Sequence, residues 1–278
     1  MKKFIIIFIL LLTSPFLFAQ NDLLDILDLD SEPEDIVFAT FKGTKIVNLQ
    51  SVEMTENNEL QFIISHRFAT INSGISDLFG LDYGKIRLSL DYGINDNVNI
   101  GIARSSHDKI IDASAKLKII NQGKSRSPIS LVTYSALFLD PSVQVSDFKH
   151  RLNYVHQIII ASKINTNFSL QISPSLIHYN LVNPSLGDND ILAIGIGGRY
   201  KINRSISFNA EWIPHIDELE SPQSLSLGFD IETGGHVFQL LFTNSTSMYE
   251  TGFITDNSSY WKDAGVHFGF NISRIFNF

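Results

Sequence analysis

The 278-residue sequence contains no cysteine. That excludes disulfides, thiol nucleophiles, cysteine-based zinc sites and an acylated lipoprotein N-terminus. Charge is scarce too: 18% of residues are Asp, Glu, Lys or Arg, against roughly 25% in ordinary soluble domains. The net charge is −8, which argues against a general nucleic-acid binder. Tryptophan (2) and tyrosine (8) are few, so phenylalanine (21) carries the aromatic content. Beyond the N-terminus no apolar run approaches the roughly 18 residues of a membrane helix. Ile158-Ile159-Ile160-Ala161 is among the densest clusters. The length suits one large domain or two small ones and is enough for a core without staples.

The N-terminus reads as an export address. Lys2 and Lys3 precede an apolar run from Phe4 to Leu12, then Thr13-Ser14-Pro15 and Phe16-Leu17-Phe18-Ala19. This is a charged region, an apolar region and a small residue at a cleavage point. Residues 1–19 are therefore expected to be a signal peptide, cut after Ala19. The run is too short to span about 30 Å as a helix. An exported chain without a membrane helix is either soluble outside the cell or a barrel in an outer membrane.

What the chain has in abundance is period two. From Lys85 to Ile94, Ile86, Leu88, Leu90, Tyr92 and Ile94 alternate with Lys85, Arg87, Ser89, Asp91 and Gly93. Side chains alternate across a strand, so one face is apolar and the other wet. Asn95-Asp96-Asn97 supplies a turn, and Val98, Ile100 and Ile102 alternate on the return. The pattern recurs to Phe278; only Ile129–Leu139 is irregular and is assigned by spacing. Strands of about ten residues match a tilted membrane-spanning strand. Short turns at Asn95–Asn97, Lys163–Asn167, Asn203–Ser205 and Thr233–Gly235 alternate with longer loops at Ala69–Asp82, Asp140–Lys149, Asn180–Asp190 and Asn244–Ala264. Aromatics mark the strand ends: Phe68, Tyr154 and Trp212 on the loop side, Tyr92, Phe168, Tyr200 and Phe278 on the turn side. These features favour a transmembrane barrel over a soluble sandwich. The expected fold is all-β: a single antiparallel transmembrane barrel over residues 60–278, with about 12 strands. A further hairpin from Asp35 to Met54 would make 14.

The chain ends on Phe278 with Phe276 two before it, which resembles the signal read by the barrel-assembly machinery. Ser273 stands where that signal often has Gly. Arg274 breaks the phase of the last strand. A lipid-facing Arg at mid-bilayer costs roughly 2–4 kcal/mol, so Arg274 is expected at the periplasmic rim or turned into the lumen. Several segments carry a wider resemblance: TFKGTKIVNLQSVE (40–53), ISHRF (64–68), FGLD (79–82), GIARSS (101–106), LSLGFDIETGGHVFQLLFTNS (225–245) and HFGFNISRIF (267–276). Together they resemble an uncharacterised outer-membrane β-barrel family, a domain of unknown function. The resemblance covers nearly all of the mature chain and implies a barrel in the outer membrane. It brings no activity, substrate or catalytic residue.

The remaining features point to a lumen rather than to catalysis. His66, His107, His150, His178 and His215 fall near loop-side strand ends without metal-ligand spacing. Ser105-Ser106-His107 invites a lipid-hydrolase reading, but adjacent strand residues point to opposite faces. Gly195-Ile196-Gly197-Gly198 lies mid-strand without a following helix, so it reads as close packing and not as a phosphate loop. On the strand phase, Arg67, Lys85, Arg87, Lys116, Lys118, Arg151, Arg199 and Lys201 point inward, as do Asp91, Asp112, Glu211, Asp230 and Glu232. The lumen is thus polar with a basic bias. Residues 20–59 form an N-terminal arm, and Asp22, Asp25, Asp28, Asp30, Glu32, Glu34 and Asp35 make its first part acidic. That arm is a periplasmic leader, a plug for the basic lumen or a docking arm for a periplasmic partner. The leading expectation is passive passage of small polar solutes with a preference for anions, with no enzyme activity, cofactor or metal. The second is a structural or partner-binding barrel with a closed lumen, and the third an outer-membrane lipid hydrolase. Expected partners are outer-membrane lipid and, during insertion, the assembly machinery; nucleic acid is not among them.

Overall fold

The structure is a computed structural model and describes residues 36–123, 127–181 and 188–278. The signal segment and the acidic stretch from Asp22 to Asp35 lie outside the described residues. Twelve strands form the wall: β1 (Glu59–Thr70), β2 (Gly84–Asn95), β3 (Val98–Ser105), β4 (Ile111–Ile120), β5 (Ser130–Leu139), β6 (Leu152–Lys163), β7 (Phe168–Tyr179), β8 (Asp190–Lys201), β9 (Ile206–Ile213), β10 (Ser224–Thr233), β11 (His236–Thr243) and β12 (His267–Asn277). Each pairs antiparallel with its neighbours in sequence, and β12 closes on β1. Closure leaves no edge, so every wall strand finds its backbone partners without water. The 36–58 segment contributes only isolated bridges, Ile36 to Gly123 and Lys45 to Gln50, so the wall stays at twelve.

The two ends of the barrel are built differently. On one end, apart from the longer β4–β5 connection (121–129), the connections are short, and Asn side chains close three of them. The N–H groups of Asn97, Asn167 and Ser205 donate to the side-chain oxygens of Asn95, Asn165 and Asn203. Gly234 and Gly235, with φ of 29° and 96°, make the β10–β11 hairpin, whose turn requires positive φ. The other end carries the long loops. The longest, between β11 and β12, holds a short helix, α1 (Glu250–Thr255), every residue of which is buried.

The usual inside-out rule is inverted on the wall. Leu88, Leu90, Ile100, Ile102, Ile158, Ile172 and Leu240 are all at least a third exposed on the outer face. In water such a continuous apolar band would be a liability; in lipid it is the matching surface. The inner face is mixed. On β1–β4 and β9–β12 it is largely polar, with Gln61, Ser89, Asn99, Asn209 and Gln239 buried. On β5 and β6 and the loop-side ends of β7 and β8 it is apolar: Val132, Tyr134, Phe138, Val155, Ile159, Ile177 and Ile191 join one buried cluster. The irregular pattern of Ile129–Leu139 follows directly, because the inner face of β5 is apolar while Thr133 and Ser135 interrupt its outer face.

Arg274 sits at the turn-side rim. It lies opposite His236, the first residue of β11 after the Gly234-Gly235 turn. Pairing runs through it without a bulge, its side chain is exposed, and its guanidinium lies 4.9 Å from the ring centre of Phe276. The charge thus reaches the aqueous edge while its stem stays on apolar surface.

The two faces of β6 should respond differently to truncation. Ile159→Ala opens a cavity in a closed core and should cost roughly 2–4 kcal/mol. Ile158→Ala, its lipid-facing neighbour, should cost under about 1 kcal/mol. Urea unfolding in detergent micelles, followed by heat-modifiable gel migration, measures both. Equal losses would contradict the assignment of Ile159 to a packed interior.

Candidate functional site

The lumen is occupied by the chain itself. Residues 36–58 enter from the turn side, where Val37 N–H donates to Gln122 O (2.8 Å) and Lys163 Nζ donates to Phe38 O (2.8 Å). Arg199 Nη1 then donates to Ala39 O and Thr40 O at 2.8 and 3.2 Å, and Lys42 pairs with Glu232 at the same mouth. The chain next folds into a tight hairpin: Ile46 N–H donates to Leu49 O (2.8 Å) and Ser51 N–H to Thr44 O (2.9 Å). From its tip the segment returns to the turn side and runs into β1.

The tip is held by one carboxylate. Glu211 on β9 accepts from the N–H groups of Val47 (3.1 Å), Asn48 (2.9 Å) and Leu49 (3.0 Å). Three successive amides converging on an anion form a concave nest, and Glu211 is 2% exposed. The carbonyl groups of the hairpin are met by wall donors. Gln239 Nε2 donates to Ile46 O (2.6 Å), Asn271 Nδ2 to Val47 O (3.2 Å) and Gln171 Nε2 to Gln50 O (2.7 Å). Lys116 Nζ donates to three carbonyls, those of Thr44, Ser51 and Glu53, at 3.0–3.2 Å. Asn48 receives Arg67 Nη2 at 2.9 Å and donates to Ser226 Oγ at 2.9 Å. The apolar side chains of the hairpin fill the rest: Phe41, Ile46, Val47, Leu49 and Val52 are all at most 4% exposed.

The glycine cluster of β8 makes room for this hairpin. A Cβ on Gly195 would lie 2.7 Å from Leu49 Cδ2, and one on Gly197 would run into Ile46. The run is a packing feature on a strand, with no helix behind it.

Several inward-phased charges meet here. Arg67, Arg87, Lys116, Arg199, Glu211 and Asp230 are buried on the inner wall. Arg87 Nη2 contacts both carboxylate oxygens of Asp112 at 2.8 Å, and Asp230 accepts from Asn209 and Gln239 at 2.6 Å each. Asp91 is half-buried against Gly101 and Ser114. Lys118 and Lys201 are half-buried near the turn side, and Glu232 is exposed at that mouth. Lys85 is exposed at the loop end of β2. Arg151 is a correction: it ends a 3-10 turn (Phe148–Arg151) before β6 and donates to Val145 O at 3.3 Å, so it does not stand on a wall strand. Lys45, Asn48, Gln50 and Glu250 were missed by the strand phase because none lies on a strand. For Asn48 and Gln50 the sequence does carry a signal, since they alternate with Val47 and Leu49 inside the 35–54 stretch.

From the loop side, α1 closes the other end. Phe253 and Ile254 are fully buried in the same apolar cluster as the hairpin. Gln50 Nε2 donates to Glu250 Oε1 at 2.8 Å, joining hairpin to helix. The gaps lined jointly by hairpin and wall are about 40 Å³ and 10 Å³, room for at most a few waters.

The serine and histidine candidates are placed elsewhere. Ser105 Oγ accepts from the backbone N–H of His107 (3.1 Å) and Ser106 Oγ from that of Ile86 (2.9 Å), so backbone groups engage both hydroxyls. His66 stacks on Phe270 and His178 Nδ1 meets Asp190 at 2.7 Å. Among the described residues no three metal-ligating side chains converge.

Replacing Glu211 by Ala should release the hairpin tip. The three amides it caps would be left buried and unpaired, at roughly 1–3 kcal/mol per group. Limited trypsin digestion in micelles should then cut at Lys42 and Lys45 at least tenfold faster than in the unchanged protein, with the barrel core intact. Equal cleavage rates would show that Glu211 does not hold the hairpin.

A search of curated proteins finds no match. Among solved structures, the porin NanC aligns with a TM-score of 0.51 at 7% identity, over 79% of this chain and 99% of its own. The porin KdgM, in complex with disordered oligogalacturonate, aligns with a TM-score of 0.51 at 8% identity, over 78% of this chain and 99% of its own. At such identities the likeness is one of fold. A family model described as a membrane-bound beta barrel domain (DUF5777) matches residues 41–276, which includes the hairpin as well as the wall. The chain belongs to that family of membrane-bound β-barrels.

Proposed function

We propose that the protein is an outer-membrane barrel for small polar solutes whose resting lumen is closed by its own 36–58 segment. The observation that carries this reading is the Glu211 nest: the blocking element is bound at its tip by side-chain and backbone hydrogen bonds, while the wall closes through β1–β12 pairing without it. The hairpin can therefore leave without opening the barrel. Export by the 1–19 signal peptide would place the short turns in the periplasm and the long loops outside. With the hairpin displaced, the inner wall carries Arg67, Arg87, Lys116, Lys118, Arg199 and Lys201 against Asp91, Asp112, Glu211 and Asp230, a balance that favours anions. Lipid and the assembly machinery are the partners this reading needs. No catalytic step or cofactor enters it.

A second reading, a permanently closed structural or partner-binding barrel, draws support from α1. It seals the loop side independently, with Glu250 and Phe253 both fully buried. Planar-bilayer recording separates the two. The unchanged protein should be silent for most of the record. Glu211→Ala, by weakening the tip by about 3 kcal/mol, should raise open time on the order of a hundredfold. Its reversal potential in a salt gradient should show anion preference. A Glu211→Ala barrel that releases its hairpin to protease yet stays silent would favour the permanently closed barrel. Steady conductance of the unchanged protein would overturn the closed resting state.

A further inference from the structure

Apolar side chains crowd the surface of one loop outside the wall, the loop between β1 and β2. There Ile75 is 81% exposed, and Leu78, Phe79, Leu81 and Tyr83 are each at least 42% exposed. Among the described residues, every other loop on that side exposes at most one large apolar side chain: Phe148, Leu181, Ile216 or Tyr260. Charge is sparse as well. From Phe68 to Gly84 there is no Lys or Arg, and the acids are Asp77 and Asp82. Exposed apolar patches of this kind mark contact with a membrane or a partner.

The loop is built, not slack. It makes two 3-10 segments, Ile71–Ser73 and Ile75–Gly80. Phe79 N–H donates to Gly74 O at 2.7 Å and Leu81 N–H to Leu78 O at 3.2 Å. Leu78 and Phe79 have φ of 47° and 55°, a left-handed pair without a glycine. Bulky residues stay in that region only where their surroundings hold them. Gly80 provides the hold: it sits so close to the end of β1 that a Cβ would lie 2.5 Å from Ala69 O and 2.8 Å from Thr70 O. Ala69 N–H then donates to Tyr83 O at 3.0 Å, which fixes the height of the loop. Phe68 lies opposite Gly84, so Tyr83 stands one rung beyond it. On the outer face Phe68 stacks on Phe268 at 5.7 Å, and Phe268 meets Phe242 at 5.5 Å. The foot of the loop is thus continuous with the aromatic, lipid-facing band of the wall.

We propose that residues 75–83 are a membrane-contact loop, with Ile75, Leu78, Phe79 and Tyr83 seated in the interfacial layer of the lipid leaflet on the loop side. Lipid is the occupant because the patch extends a surface that already faces lipid, one rung beyond the aromatic belt. Tyr83 suits that depth, with an apolar ring and a polar tip. The polar side chains of the first turn bond back to the chain: Asn72 Nδ2 donates to Asp263 O at 3.3 Å and Ser73 Oγ to Thr70 O. The strained pair therefore has a use, since it keeps Leu78 and Phe79 turned outward on a fixed frame. Such a foot would hold the β1–β2 side of the barrel at a set height in the bilayer. The inference rests on the membrane placement of the wall and not on whether the lumen ever conducts.

Because the chain has no cysteine, a single introduced one can report the depth of the loop. Phe79→Cys, labelled with a nitroxide in the full chain, is reconstituted into phosphatidylcholine vesicles. Power saturation then compares collisions with oxygen, which partitions into lipid, and with a water-soluble nickel chelate, which does not. The oxygen-to-nickel ratio at 79 should exceed that at Gln144→Cys, an exposed site on the β5–β6 loop, by about threefold or more. It should approach the ratio at Leu88→Cys on the lipid-facing wall. Ile75→Cys should behave alike, and it serves alone if Phe79→Cys loses heat-modifiable migration. A ratio no higher than that at Gln144 would put the loop in water and overturn the proposal. Low collision rates with both reagents, rising as the protein is diluted in lipid, would overturn the lipid assignment in favour of contact between copies. Nickel access at Leu88 would instead count against the membrane placement of the wall itself.

Discussion

A single buried carboxylate sets the state of this barrel. Glu211 has been taken out of water at the centre of a lipid-embedded cylinder, where an unpaired charge would be intolerable. The wall amides are committed to each other, and the wall meets it with the side-chain hydroxyl of Ser226. Amides outside the wall pairing come from the 36–58 segment. The turn at Val47, Asn48 and Leu49 supplies three of them. The carboxylate therefore holds the hairpin at its tip. Much of the surrounding polar architecture serves the same end from the opposite side: Gln171, Gln239, Asn271 and Lys116 are donors aimed at the carbonyls that the hairpin leaves unpaired.

That requirement explains the split inner wall. A water-filled barrel would be polar all round. Here one sector is polar where it meets the hairpin backbone and the other is apolar where it meets Leu49, Phe253 and Ile254. The result is a membrane protein with two hydrophobic surfaces, one for lipid outside and one for its own chain within. Glycines at 195 and 197 mark a close approach of wall and hairpin, since a Cβ at either would run into Leu49 or Ile46.

The wall was legible in the sequence because its rule is binary. Lipid outside forces every second residue to be apolar, and ten-residue runs separated by alternating short and long connections admit few other folds. β5 was the exception, and its cause is physical: Val132, Tyr134, Ala136 and Phe138 face a packed interior, so contrast between the faces is lost. The hairpin was harder. A strand is recognised by its period, but 40–53 is held by a turn, a nest and side-chain donors scattered over distant strands, which leave no more of a periodic trace than the alternation of Val47 and Leu49 with Asn48 and Gln50. The strand phase located Glu211 and Lys116 on the inner wall without revealing that their partners are backbone groups. Arg151 was misplaced because alternation was extended one residue past the start of β6, into a 3-10 turn.

The order of the chain also decides what can move. The wall is closed by β1 against β12, and that seam runs in register from Glu59–Asn277 to Arg67–Gly269. Opening it would expose two unpaired strand edges to lipid, at several kcal/mol for each unsatisfied group. The hairpin precedes β1 and enters and leaves by the same mouth, so its departure breaks no wall pairing. Its bonds are about a dozen, each worth roughly 0.5–1.5 kcal/mol net against water, and its carbonyls and amides would be rehydrated as it leaves. The wall is thus the permanent part of the molecule and the hairpin the conditional part. The two differ because a displaced hairpin regains water as its hydrogen-bonding partner and an opened seam does not. Any motion that changes the lumen has to begin in residues 36–58 or in α1, which meet at Gln50 and Glu250.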